Sequence, residues 1–260
     1  MTGPTPFLDF FKRGEVSRDV RMLAAQGALA PRAHEQLALL VLLVDDADSE
    51  IRDTAERTLG QIPPAALRVF LARSDTPLDI REFFADRGVF PDEVPSVPLS
   101  EDQQAPLVVA PKAESPAEEE DAERISVTER ISKMGFTQRL TSAFTGSREM
   151  RAVLIRDTNK MISAAVLSSP RLTDSEVESF ARMANVGEEV LRIIGANRAW
   201  TKNYGVVTGL VKNPKTPLAM SMNLMARLND KDLSTLSVDR NVPDSLRVAA
   251  RKKVVGGSRK

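Results

Sequence analysis

The chain holds one histidine and no cysteine, and those two facts narrow its chemistry before any element is drawn. A Ser-His-Asp triad would need His34 as its base, and a zinc site built on imidazole or thiolate has too few ligands. His34 stands at the start of an apolar run, where a structural or surface role fits better. The glycines are scattered and spell no GxxxxGKS/T phosphate loop. Asp45-Asp46 and Glu188-Glu189 are adjacent carboxylates. Neighbouring positions on a helix point in different directions, so both pairs read as solvated turn charges. The expectation is a protein that is not an enzyme, that carries no metal or cofactor, and that works by binding.

The residues best suited to binding lie together in Arg198-Ala199-Trp200-Thr201-Lys202-Asn203-Tyr204, which contains the only Trp and the only Tyr of the chain. A separation of four places two residues on one helix face. Arg198, Lys202 and the nearby Lys212 add positive charge, and Asn203 adds a polar group. Charge combined with aromatic surface suits a phosphate-bearing or acidic-peptide ligand. The competing expectation makes Trp200 a plug between helices, with Tyr204 against its edge. The two combine into one reading, in which Trp200 is a plug and its basic neighbours form the site.

A formal net charge of zero conceals a strong asymmetry. Residues 1–90 carry net −3, residues 91–124 net −8 and residues 125–260 net +11. A basic segment of that size either is an ordinary solvated surface, or meets an anionic partner, or receives the acidic segment of its own chain. The terminal Arg251-Lys252-Lys253 and the tail 256–260 add to the basic end.

Elements must hold these residues in place, and the sequence marks them. Residues 91–124 contain six prolines and the run Glu118-Glu119-Glu120-Asp121. Proline removes donors and like charges repel, which predicts an extended linker. Its apolar island, Leu107-Val108-Val109, is either incidental or a docking motif. Before the linker, apolar residues recur at helical spacing: Val20, Leu23 and Ala24; Leu37, Leu40, Val41 and Val44; Ile51, Ala55 and Leu59; Leu67, Phe70 and Leu71; Ile80, Phe83 and Phe84. This gives five helices, preceded by a short amphipathic segment at Phe7–Phe11. After the linker, Ser126-Val127-Thr128-Glu129 and Thr173-Asp174-Ser175-Glu176 fit the capping box. Further stripes follow to Leu246, Ala249 and Ala250. The segment Leu218–Leu228 is apolar on more than one face, as a helix with neighbours on both sides would be. No strand-like alternation is sustained. The chain is read as all-α.

One short phrase restarts the helices repeatedly. It reads Ser169-Pro170-Arg171-Leu172-Thr173, Asn197-Arg198-Ala199-Trp200-Thr201, Asn213-Pro214-Lys215-Thr216-Pro217 and Asp239-Arg240-Asn241-Val242-Pro243, with a fainter copy at Ser74-Asp75-Thr76-Pro77. Together with the charged turns Asp48-Ser49-Glu50-Ile51-Arg52 and Arg156-Asp157-Thr158-Asn159, it resembles α-helical repeats of the HEAT type and of the leucine-rich-repeat variant family. The resemblance covers about residues 17–90 and 147–254 at uneven intervals. It implies short helices stacked as an α-solenoid, an architecture used to bind. The iron–sulfur module found in the leucine-rich-repeat variant family is bound by cysteines and does not transfer. HEAT-like alkylpurine DNA glycosylases line a basic concave surface with several tryptophans and a catalytic acid. Here there is one Trp, and Asp230 and Asp232 are distant in sequence, so that resemblance implies fold alone.

The expected architecture is therefore two helical-repeat modules, 1–90 and 125–255, joined by the Pro-rich acidic linker 91–124 and ending in the basic tail 256–260. The expected function is a noncatalytic scaffold that takes an acidic protein partner on the basic C-terminal module, through Arg198, Trp200, Lys202, Asn203, Tyr204 and Lys212. Nucleic acid on the same surface is the alternative. Met1–Phe11 lacks the pattern of a signal peptide, and the longest apolar run, Leu37–Val44, is far short of a membrane span. A cytoplasmic location is expected.

Overall fold

The computed structural model describes residues 6–29, 32–92, 107 and 127–257. Among them are sixteen α-helices, a 3-10 turn at Trp200–Lys202 and no strand. The chain is all-α, as its periodicity predicts. Its helices are short because start signals follow one another closely. The side chains of Asp48, Ser147, Thr173, Asn203 and Asn229 each accept a first-turn backbone N–H, satisfying donors that a helix N-terminus leaves orphaned. Pro63, Pro77 and Pro217 stand immediately before helices, where their missing N–H removes no helical bond. Thr173 and Glu176 form the complete capping box. Ser126, which would begin the other box, lies outside the described residues.

The helices group into two compact units: Met1–Thr145 with Ser168–Pro170, and Gly146–Leu167 with Arg171–Lys260. The first contains α1 (Pro6–Lys12), α2 (Arg18–Ala25), α3 (Ala33–Leu43), α4 (Ser49–Gly60), α5 (Pro64–Leu71), α6 (Leu78–Ala85), α7 (Val127–Lys133) and α8 (Phe136–Thr145). α3 is its axis, packed by α1, α2, α4 and α6. Leu37, Leu39, Leu40 and Leu43 are all buried. The run expected to show one apolar stripe is thus enclosed on nearly every side. Phe7 meets Phe144 edge-on with ring centroids 5.0 Å apart, which draws α8 against α1. Of the expected linker 91–124, only residues 91, 92 and 107 are described.

The second unit contains α9 (Arg148–Leu154), α10 (Lys160–Leu167), α11 (Asp174–Arg182), α12 (Glu188–Ala196), α13 (Tyr204–Lys212), α14 (Leu218–Met225), α15 (Asp230–Leu236) and α16 (Asp244–Gly257). α11 packs against both α9 and α13, α10 against α12, and α14 against α16. Gly209 makes the α11–α13 approach possible, since a Cβ there would lie 3.2 Å from the Ala181 Cβ. Buried Leu233, Leu236, Leu246 and Ala250 join α15 and α16 into the core at the chain's end.

The recurring phrase has a common physical meaning. Asp46, Asp157, Asn197, Asn213 and Asp239 each accept the backbone N–H two residues on, at 2.8–3.0 Å. This is an Asx turn, in which a short polar side chain replaces a backbone partner and redirects the chain between helices. Asn213 does more. It is buried, and its amide nitrogen donates to Ala181 O at 2.9 Å and Met183 O at 3.0 Å. Those carbonyls sit at the end of α11, where helical partners have run out. Ser169, by contrast, donates to Phe144 O at 2.7 Å within the first unit.

Candidate functional site

The cluster from Arg198 to Tyr204 is built on the turn between α12 and α13. Asn197 is buried, and its side-chain oxygen accepts the Ala199 N–H at 2.9 Å while its backbone oxygen accepts the Thr201 hydroxyl at 3.0 Å. That network winds Trp200–Lys202 into a 3-10 turn. Asn203 then takes extended backbone geometry, ψ 121°, and caps α13 by accepting the Gly205 N–H at 2.8 Å. Trp200 and Tyr204 therefore stand on separate elements, and the shared helix face expected from their spacing of four does not form. No ring contact joins them among the described residues. Trp200 is half-buried, while Arg198 and Lys202 on either side of it are exposed.

Tyr204 faces a different neighbour. Its hydroxyl donates to Asp232 Oδ2 at 2.6 Å and accepts the Asn229 N–H at 3.2 Å. Lys212 Nζ donates to the other carboxylate oxygen of Asp232 at 2.8 Å. The ammonium of Lys212 and then the phenol of Tyr204 hold the Asp232 carboxyl below its usual range. The fold thus brings together Tyr204, Lys212 and Asp232, an acid that lies 28 residues from Tyr204. The sequence offers only Asn229 three residues before it as a capping signal, and nothing in that signal points to α13.

Apart from the half-buried Trp200, the expected site residues separate into two groups. Asn203, Tyr204 and Lys212 are used to cap α13 and tie it to α15. Arg198 and Lys202 make no ion pair among the described residues and present their charge to solvent. Two neighbouring exposed cations are partnered, Arg182 with Glu178 and Arg192 with Glu188 and Glu189, while others of this unit, such as Arg227 and Lys231, are exposed as Arg198 and Lys202 are. Glu188 and Glu189 are therefore cross-linked through Arg192 and are not simply solvated.

Two carboxylates have arginine partners that the sequence did not indicate. Asp46, expected to be a solvated turn charge, has a side chain only 5% exposed and accepts Arg21 Nη1 on both oxygens at 2.8 Å. Glu176 is buried against Arg151, whose Nε and Nη2 each donate to it at 3.0 Å. Arg151 also donates to Gly146 O at 2.9 Å, so the guanidinium is well satisfied.

His34 lies half-buried at the start of α3, and burial lowers its pKa, with Asp75 opposing and Arg73 reinforcing. Its neighbour Glu35 is buried with Oε1 lacking a hydrogen bond, and desolvation raises that carboxyl to about 7. Among the described residues no three His, Asp or Glu side chains converge as metal ligands would, and no helix is long and apolar enough to cross a membrane.

The chain matches no protein-family model, and neither the curated proteins nor the solved structures hold a match to it.

Proposed function

We propose that the second unit is a short α-solenoid of the HEAT-like kind and that it serves as a noncatalytic cytoplasmic scaffold for an acidic protein partner. The solenoid reading is supported by alternation: α9, α11 and α13 pack in succession, α10 packs on α12, and α14 on α16. Asx turns at Asp157, Asn213 and Asp239 join α9 to α10, α13 to α14 and α15 to α16, and a fourth at Asn197 joins α12 to the 3-10 turn before α13. Stacked pairs expose a face of loop and helix-end residues, and repeat proteins bind on such faces.

The observation that carries the binding reading is the exposure of Arg198 and Lys202, without ion pairs among the described residues, on either side of the half-buried Trp200. An acidic side chain approaching there meets two cations over an aromatic floor, which gives both steering and contact. Protein is favoured over nucleic acid because the surrounding charge is mixed. Arg182, Arg192 and Lys212 are partnered by acids, which interrupts the continuous basic stripe that a phosphate backbone would use.

Partner capture from the native cell, with and without nuclease, tests this reading when the intact chain is compared with an Arg198→Glu, Lys202→Glu double variant. Nuclease-resistant capture that weakens with salt and is lost in the double variant is the expected result. Undiminished capture by the double variant removes the site, and capture abolished by nuclease moves the partner to nucleic acid.

A further inference from the structure

Alone among the described helices, α14 (Leu218–Met225) carries no charged residue. Yet within it only Ser221 and Met225 are buried. The helix rests on α13 and α16, with Met222 and Leu224 leaning on the core that contains Met225. At about 3.6 residues per turn its outer side runs through Leu218, Met222, Ala226, Ala219, Asn223 and Met220. Each of these is exposed or half-buried, and only Asn223 is polar. The enclosure expected of this run, with neighbours on both sides, is therefore incomplete. Met220 lies across Gly195 of α12, where a Cβ would overlap its sulfur. Gly195 stands three residues before Arg198, so the apolar side of α14 reaches the end of α12 from which the exposed cations follow.

The charge carried by this stretch has one sign. Residues 190–229 contain six Lys or Arg and no Asp or Glu. Arg192 and Lys212 are paired with acids from outside the stretch. Arg198, Lys202, Lys215 and Arg227 are exposed, with no acid partner among the described residues. Lys215 Nζ donates instead to Val186 O at 3.2 Å. Lys215 precedes α14 and Arg227 follows it, so an uncharged helix is bracketed by cations.

We propose that α14 is the docking face for an acidic amphipathic helix of the partner protein. The apolar side of that helix lies over Leu218, Met220 and Met222, and its carboxylates meet Lys215, Arg227 and Arg198. The proposal rests on the acidic-partner reading of the second unit and names the part of the partner that makes contact. Amphipathic helices dock by laying an apolar face on an apolar seat, and the unbranched thioethers of Met220 and Met222 adapt to what covers them. Acidic flanks supply the charge that the surface lacks. A second copy of this chain would set Lys215 and Arg227 against like charges, and a phosphate backbone would gain nothing from the aliphatic surface.

The test titrates the full chain with a synthetic helical peptide of about 18 residues, with leucine at helical spacing on one face and glutamate and alanine on the rest. Two further peptides serve as controls, one with lysine in place of glutamate and one of the same composition with the leucines scattered. The first should bind, more weakly as salt rises, and each control at least about tenfold more weakly. Binding of the first should fall at least about tenfold in an Ala219→Glu, Asn223→Glu double variant and in Leu218→Glu. All three substituted positions are exposed, and circular dichroism checks that the fold is kept. Equal binding by both variants overturns α14 as the seat. Equal binding of the lysine peptide overturns the acidic occupant, and no binding of the first peptide overturns both. Sedimentation of the chain as a dimer that the variants dissolve would assign the face to a second copy and overturn the proposal as well. Failure of the acidic-partner reading is read separately, from native partner capture by the Arg198→Glu, Lys202→Glu variant, in which α14 is unaltered.

Discussion

Among the described residues each unit buries one glutamate almost completely, and the two carboxyls are shifted in opposite directions. Glu35 is 6% exposed and Glu176 is 2% exposed. Burial disfavours the charged form of both. For Glu35 the only opposing group is Arg32, whose nearest nitrogen is 3.8 Å from Oε1, beyond hydrogen-bond reach, and the carboxyl rises to about 7. For Glu176 the fork from Arg151, with the Thr173 N–H and hydroxyl, outweighs desolvation and holds the carboxyl below its usual range. Burial alone does not decide ionisation; the donors aimed at the carboxylate do.

The largest expected effect breaks the better-supported side of this comparison. Arg151→Met leaves Glu176 as a buried carboxylate without its cation, and such losses cost about 3–5 kcal/mol. Trp200 is the only tryptophan and lies in the same unit, so its fluorescence during urea unfolding at pH 7 reports the change directly. The pH dependence follows from the lowered pKa. In the unaltered chain the contribution of Glu176 is present above 4.5, its ordinary value, and fades as pH falls through its depressed folded value. A loss below about 1 kcal/mol would mean that the fork contributes no more than a surface pair does.

Glu35→Gln works in the other direction. Because the folded pKa is raised, the contribution of Glu35 is fully present below 4.5 and is lost as pH rises through about 7. At pH 8 the carboxylate is a liability, and its neutral isostere should stabilise the first unit by about 2 kcal/mol. The gain should vanish by pH 4, where both chains carry a neutral side chain. Circular-dichroism melts at the two pH values give the comparison. Equal gains at both would show that the substitution acts by packing and not by charge.

Trp200 tests the intermediate case of partial burial. A fully buried aromatic truncated to alanine costs about 3–5 kcal/mol. Trp200 is half-buried on its 3-10 turn, so Trp200→Ala should cost about 1–2 kcal/mol, measured by circular dichroism since the fluorophore is removed. A loss above that range would make it the plug expected from sequence. A loss near zero would place the ring wholly on the ligand surface.

The helices and their starts were readable because each rests on local chemistry. Thr173 and Glu176 are three residues apart, Pro63 and Pro77 stop one helix and permit the next, and Asn213 announces a turn within two residues. What could not be read is equally specific. The spacing of Trp200 and Tyr204 suits one helix, but Asn203 breaks the backbone between them to cap α13. Arg151 finds Glu176 across 25 residues, and Asp232 finds Tyr204 across 28. Both pairings depend on which helix packs beside which, and periodicity within a helix says nothing of that. The apolar run at Leu37–Val44 signalled burial but not that four helices would surround it.

The smallest effects separate the two kinds of cation at the candidate site. Arg198 and Lys202 are exposed and form no ion pair among the described residues, so reversing both to Glu should change stability by less than about 0.5 kcal/mol. Lys212 is different, because its Nζ sits 2.8 Å from Asp232 Oδ1. Lys212→Glu puts a second carboxylate against the first, and Tyr204 can donate its single hydroxyl proton to only one of them. Asp232 is partly solvated, with 21% of its side chain exposed, which screens the repulsion. The loss should therefore be modest, about 1 kcal/mol. It should shrink as pH falls and the paired carboxylates take up a proton, and it should shrink again in high salt. If Lys212→Glu is as silent as the Arg198 and Lys202 reversals, the tie between α13 and α15 contributes nothing to stability. Lys212 would then return to the set of cations available to a partner.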